Sequence, residues 1–252
     1  MDAAVVILVA LLGVPVGAFL NVVIDRVPDK APLRGPRDGE ASAPVLWGGL
    51  PVQPWLLRRR SSGHGFPARW LWVEVVTAVV FLLLALRHGD SLILLPLLVL
   101  GASLVAASVI DLQLLRIPDR VTFPTLALAV PLIVGVSLHL DIDDAIGAAV
   151  LGSAIYFVLL LVPHLIYPRG MGFGDVKLAL VMGLYLGWLG WDPDPLMSGF
   201  EGPLQLVLYA LMLGCGLGVV FGVGSRVITR RGGEFPFGPA LAAACLVVVL
   251  LQ

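Results

Sequence analysis

Two aspartates lie at the ends of long apolar runs, a position where ionised side chains are uncommon. Asp111 closes a run that begins near residue 91, and Asp175 opens a run that continues to residue 191. Charged side chains at membrane depth are costly and often functional. If two carboxyls share a proton, the ionised one can take a proton from water while the other donates to a peptide carbonyl oxygen. The pair is therefore a candidate for peptide-bond hydrolysis, with helix capping as the simpler alternative.

The positions of the two aspartates predict an unequal pair. Helix N-termini favour negative charge and helix C-termini disfavour it, so we expect Asp175 to be the ionised base and Asp111 to carry the proton. The segment before Asp175, Gly170-Met171-Gly172-Phe173-Gly174, lets the backbone turn sharply and approach another chain closely. Gly172 and Gly174 are therefore predicted to support the site through their backbone.

Three further residues form a predicted secondary site: Glu74, Asp119 and Lys177. Glu74 lies about one helical turn into an apolar run, where it either reaches water or pairs with Arg69. Asp119 follows Ile117-Pro118, a position that also suits a helix cap, and Lys177 follows the glycine-rich segment.

The composition places these residues in a membrane protein. Only 13% of the 252 residues are charged, against roughly 25% in soluble domains, and 59% are hydrophobic. A soluble domain of this length has too little interior for so much apolar surface, whereas a membrane span needs about 20 apolar residues. We predict an all-α polytopic membrane helix bundle with about eight transmembrane helices, packed closely at pairs such as Gly13/Gly17 and Gly183/Gly187. The predicted spans are residues 4–24, 70–86, 91–110, 121–140, 145–167, 176–191, 203–225 and 235–251.

The basic residues set the predicted orientation. Segment 25–69 carries many of them and is placed in the cytoplasm by the positive-inside rule, which puts the N-terminus and the C-terminus outside. All of the 16 Lys and Arg residues except Arg87 then fall on the cytoplasmic side. The same topology brings Asp111 and Asp175 to one level, at the cytoplasmic ends of their helices.

Segment 25–69 is rich in proline and glycine, so we predict an irregular cytoplasmic segment after the first helix. It belongs to a predicted N-terminal part, residues 1–90, which precedes a membrane core, residues 91–252, that holds both aspartates. The two cysteines, Cys215 and Cys245, lie in apolar runs, and neither they nor the four histidines have metal-ligand spacing. We predict no metal site, and a net charge of −1 argues against nucleic acid as a partner.

Five stretches of the chain resemble the type IV prepilin peptidase family, the membrane aspartyl leader peptidases with a G-x-G-D motif. Residues 17–28 resemble its opening G-S-F-L-N-V-V-I-x-R-L-P, and Val73-Glu74 resembles its V-E. Ile110-Asp111 with Ile117-Pro118-Asp119 resembles the first aspartate motif. Residues 170–178 resemble the G-x-G-D motif, and residues 235–239 resemble the closing I-P-F-G-P. The five stretches occur in the order that the family shows.

The resemblance implies an activity, substrates and a location. Members cleave the short basic leader of type IV prepilin or pseudopilin precursors at the cytoplasmic face of the prokaryotic inner membrane, and Asp111 and Asp175 match their catalytic pair. Proteolysis of this kind needs no cofactor. The best-known members also methylate the new N-terminus with S-adenosylmethionine, and their cytoplasmic segment often carries paired C-x-x-C motifs. Segment 25–69 has no cysteine, so methylation is left open here, as is the oligomeric state.

Other functions are kept as alternatives. A presenilin-like protease shares G-x-G-D and the Pro239-Ala240-Leu241 sequence, but its first aspartate follows Tyr where this chain has Ile110. A non-proteolytic transporter would use the acids as ion sites, although the chain shows no inverted repeat. An assembly protein of a secretion system would keep the motifs with an inactive pair.

Overall fold

The computed structural model describes residues 3–28, 68–89, 91–168, 171–192, 201–229 and 236–252. Residues 29–67, the larger part of the predicted cytoplasmic segment 25–69, lie outside these ranges, as do Gly170 and Phe235 of the motifs. The described residues form eight α-helices and no strand, which confirms the all-α prediction. The helices are α1 (Ala3–Arg26), α2 (Ala68–His88), α3 (Leu94–Leu114), α4 (Asp119–His139), α5 (Asp144–Ile166), α6 (Phe173–Leu189), α7 (Glu201–Thr229) and α8 (Gly238–Leu251).

Six helices in the described part of the chain are long and apolar enough to cross a membrane: α1 to α5, and α7 over Glu201–Gly222. The fold is therefore a polytopic membrane helix bundle, as predicted. The two other helices lie where spans are predicted but are shorter. Helix α8 is apolar over 14 residues, and α6 has 17 residues, which is about 25 Å of helix against a hydrocarbon core of about 30 Å.

The chain divides into two compact units, Met1–Ala106 and Ala107–Gln252. In the first unit, α1 and α2 pack closely because two glycines of α1 have no side chain. A Cβ at Gly13 would lie 2.5 Å from Ala78 Cα, and one at Gly17 would lie 2.6 Å from Glu74 Cα. This contact confirms the predicted role of the pair. The predicted division into residues 1–90 and 91–252 stays a prediction.

Helix α6 is the central helix of the second unit and contacts α4, α5, α7 and α8. Its side chains are buried almost continuously from Asp175 to Trp188. The predicted Gly183/Gly187 pair packs against α5, because a Cβ at Gly183 would lie 2.4 Å from the carbonyl oxygen of Gly152. Nearly every face of α6 therefore meets protein.

Candidate aspartate-pair site

Asp111 lies in the last turn of α3, and its side chain is held by the start of α8. The residue is 4% exposed. Its Oδ2 atom accepts a hydrogen bond from the backbone N–H of Gly238 at 3.0 Å. Its own carbonyl oxygen accepts the N–H of Leu115 at 2.8 Å, and the chain leaves the helix there with Leu115 at φ 52°. A backbone donor aimed at a carboxylate oxygen stabilises negative charge on that oxygen.

Asp175 is the third residue of α6 and is 6% exposed. Its N–H donates to the carbonyl oxygen of Gly172 at 3.1 Å, which forms the first turn of the helix. Its Oδ1 atom is buried and has no hydrogen-bond partner among the described residues. The carboxyl lies within electrostatic range of Asp111. Helices α3 and α6 therefore bring the two sequence-predicted acids together inside the second unit.

Ile117, in the turn between α3 and α4, packs against a glycine beside each aspartate. A Cβ at Gly174 would lie 3.0 Å from the backbone nitrogen of Ile117, and one at Gly238 would lie 3.2 Å from its Cδ1. Gly172, in contrast, has room for a Cβ, which would lie 3.6 Å from Asp175 Oδ2, and its φ of −66° suits any residue. Of the two glycines, Gly174 is therefore the one at which another segment approaches closely. That segment is the turn of this protein that contains Ile117.

The predicted secondary residues Asp119 and Lys177 form an ion pair. Lys177 Nζ lies 2.6 Å from Asp119 Oδ1. The same nitrogen lies 4.9 Å from the ring centre of Phe173 and 5.9 Å from that of Phe123. The pair joins the first residue of α4 to the helix that carries Asp175.

Glu74, the third predicted secondary residue, belongs to the first unit. It is 4% exposed, so it does not reach solvent. Arg69 donates to Asp25. One turn along the same α1–α2 contact, Asn21 Nδ2 donates to the carbonyl oxygen of Trp70 at 3.0 Å. Asn21 Oδ1 is buried and has no hydrogen-bond partner among the described residues.

Sequence reasoning did not identify three residues that support the site. Gly238 and Ile117 belong to the quoted motifs, but the sequence did not indicate their roles. The hydrogen bond from Gly238 joins positions 127 residues apart. His164 of α5 donates from Nδ1 to the carbonyl oxygen of Met171 at 2.9 Å, and its ring lies 5.3 Å from that of Phe173. No spacing signal in the sequence points to His164, since its partner is a backbone atom.

The described part of the chain has no group of side chains suited to a metal ion. No three or more His, Cys, Asp or Glu side chains come together there. Cys215 and Cys245 are both free thiols. The candidate site consists of the two carboxyls and the backbone groups around them.

Comparisons with known proteins bear on what this arrangement does. A profile of the type IV leader peptidase family matches residues 98–223, which include both aspartates. The prepilin leader peptidase/N-methyltransferase of Pseudomonas putida is 32% identical, over 96% of this chain and 89% of its own length. Its counterpart in Neisseria gonorrhoeae is 30% identical, over 96% of this chain and 88% of its own.

A third relative carries a different name. The type 4 prepilin-like proteins leader peptide-processing enzyme of Escherichia coli O78:H11 is 29% identical, over 99% of this chain and 95% of its own length. No solved structure matches the chain significantly. The profile match spans the turn and the helices that hold the aspartates, and the relatives align along nearly the whole chain. The chain therefore belongs to the type IV leader peptidase family.

Proposed function

We propose that this protein is a membrane aspartyl endopeptidase that cleaves the leader from type IV prepilin or pseudopilin precursors. Asp111 and Asp175 are the proposed catalytic pair. The observation that carries the proposal is that one turn links two buried carboxyls from separate helices: Ile117 packs against Gly174, next to Asp175, and against Gly238, which donates to Asp111. Family membership supports the peptidase activity over transport or a purely structural role. The printed names of the relatives support prepilin as the substrate.

In the proposed reaction, one carboxylate takes a proton from water as the water oxygen attacks the scissile carbonyl. The other carboxyl donates its proton to the carbonyl oxygen, and a proton is returned to the leaving amine as the peptide bond breaks. The two side chains act as one titrating unit, which shares a single proton before the substrate is attacked.

We propose that the resting charge of the pair lies on Asp111, whose carboxylate accepts a hydrogen bond from Gly238. The helix-end argument favours charge on Asp175 by about 0.3–1 kcal/mol. A hydrogen bond to a charged group contributes about 1.5–3 kcal/mol, and it is Asp111 that accepts the N–H of Gly238. The buried Oδ1 atom of Asp175 has no donor among the described residues, so the proposal assigns the proton to Asp175, which differs from the assignment expected from the helix ends. Asp175 then carries the proton and acts first as the acid, while Asp111 activates the water.

The proposed location is the cytoplasmic membrane, with the aspartate pair at the cytoplasmic face and both termini outside. The distribution of basic residues supports this orientation. Accessibility of single cysteines tests it in a variant without Cys215 and Cys245. An impermeant thiol reagent added outside cells should label Asp144→Cys and leave Arg116→Cys unlabelled. The opposite pattern would refute the orientation.

Methylation of the new N-terminus with S-adenosylmethionine is proposed as a second activity. The names of the relatives support it. The first unit offers groups that fit the polar parts of such a molecule. Asn21 Oδ1, which has no hydrogen-bond partner among the described residues, and the buried Glu74 both lie along the contact between α1 and α2. Bound there, S-adenosylmethionine would supply the methyl group.

The test uses the full chain in lipid nanodiscs and a synthetic precursor with a basic leader that ends in Gly before an apolar helix. Mass spectrometry should detect release of the leader and, with S-adenosylmethionine present, one added methyl group on the product. Asp111→Asn and Asp175→Asn should each abolish cleavage. Asp141→Asn is the matched control, because Asp141 is exposed and its positive φ of 56° also suits Asn. Cleavage that survives both site substitutions would refute the proposed pair.

A further inference from the structure

The turn that follows Asp111 has a backbone that needs support from elsewhere. Leu115 has φ 52°, in the left-handed region that non-glycine residues rarely adopt. Two residues later, Ile117 lies between Gly174 and Gly238, and Gly238 is the residue that donates to Asp111. A small displacement of this turn would therefore change the surroundings of both aspartates at once.

One ion pair ties the far end of this turn to the helix of the second aspartate. Asp119 is the first residue after the turn, and Lys177 lies two residues beyond Asp175. The side chains are 53% and 22% exposed, and the ammonium of Lys177 is also placed over the ring of Phe173. A partly exposed ion pair adds little to overall stability. We therefore relate this pair to the position of the turn and not to the free energy of unfolding.

We propose that Asp119 and Lys177 are positioning residues for the cleavage reaction. Their ion pair holds the α3–α4 turn, residues 115–118, against the start of α6 and so maintains the separation of the two catalytic carboxyls. Ile117 is the spacer that transmits the position of the turn to Gly174 and Gly238. The inference rests on the proposed peptidase function but concerns residues outside the catalytic pair.

Charge removal and charge exchange test the role of the pair. Asp119→Asn and Lys177→Met should each lower kcat roughly two- to fivefold, as expected for loss of one partly exposed pair, with KM unchanged. The exchanged double variant, Asp119→Lys with Lys177→Asp, should recover most of the lost kcat. Asp144→Asn is the matched control, because Asp144 is also an exposed first residue of a helix. It should leave kcat unchanged.

Hydrogen exchange of the turn gives a readout that does not depend on cleavage. In nanodiscs, peptides that cover residues 115–119 should exchange faster in Asp119→Asn and Lys177→Met than in the wild type, and at the wild-type rate in Asp144→Asn. Unchanged exchange in both single variants, or an exchanged double variant as slow in cleavage as the single ones, would overturn the positioning role. Absence of cleavage by the wild type would instead refute the peptidase function, while the exchange data would still decide the role of the pair.

Discussion

Substitution of Gly238 by alanine should separate the activity of this protein from its stability. Gly238 is the first residue of α8, and its N–H donates to Asp111 Oδ2. A Cβ at this position would lie 2.8 Å from the same oxygen and 3.2 Å from Ile117 Cδ1. Both neighbours are the ends of side chains, so they can move while the backbone of the bundle stays in place.

The size of the effect follows from these distances. The Asp111 oxygen must retreat from 2.8 Å to about 3.4 Å to restore ordinary contact, a movement of about 0.6 Å. Misplacement of a reacting group by 1 Å can lower a rate about 100-fold, so we expect kcat to fall roughly 10- to 20-fold. Replacing glycine by alanine at a backbone conformation that suits both stabilises the fold by about 0.4–1 kcal/mol through the unfolded state, which offsets a similar amount of local strain. The free energy of unfolding should change by less than about 1 kcal/mol.

Cleavage of a synthetic precursor at saturating concentration measures this kcat, and thermal unfolding in nanodiscs measures the stability. Gly135→Ala in α4 is the matched control, because a Cβ there would meet nothing within 4 Å. It should leave kcat at the wild-type value. Wild-type kcat in Gly238→Ala would show that the backbone donor does not position Asp111. An unfolded Gly238→Ala would show that the side-chain ends around it cannot move.

Two further predictions concern the packing of the second unit. Gly183→Ala should destabilise the fold by about 1–3 kcal/mol, seen as a lower unfolding temperature, because its Cβ would lie 2.4 Å from a backbone oxygen of Gly152; Gly147→Ala, with nothing within 4 Å, is its control. Trp188→Phe should cost about 1–3 kcal/mol, because the buried Ser137 Oγ loses the indole N–H at 2.9 Å. Adding Ser137→Ala to Trp188→Phe should then cost little more, and fully additive losses would contradict a shared hydrogen bond.

The number and positions of the helices could be predicted because hydropathy and charge constrain them directly. Apolar runs of membrane length must form helices, since backbone groups in lipid need internal hydrogen bonds. The pair Gly183/Gly187 could be predicted as a close contact for a related reason, because small residues let membrane helices approach. These signals are local in the chain, so one sequence is enough to read them.

The partners of each helix could not be predicted in the same way. In a membrane, side chains that face lipid and side chains that face protein are both apolar, so the pattern does not mark the buried side. Helix α6 shows the consequence: it is buried along most of its length and is shorter than α4, α5 and α7, yet its sequence resembles one more span. The contact between Asp111 and Gly238 was hidden because it joins positions 127 residues apart.

The support of the aspartate pair comes largely from backbone atoms, and this affects how the site can be mapped. Gly238 contributes an N–H to Asp111, Gly174 contributes space for the backbone of Ile117, and Met171 contributes a carbonyl oxygen to His164. Replacing polar side chains by alanine leaves each of these groups in place, so such a scan would find the two carboxyls and the Asp119–Lys177 pair but would miss these backbone groups. Adding a methyl group at each glycine changes the supporting atoms themselves. Gly174→Ala and Gly238→Ala should therefore lower activity where Gly135→Ala does not. That contrast would identify the backbone groups that hold the two carboxyls in position.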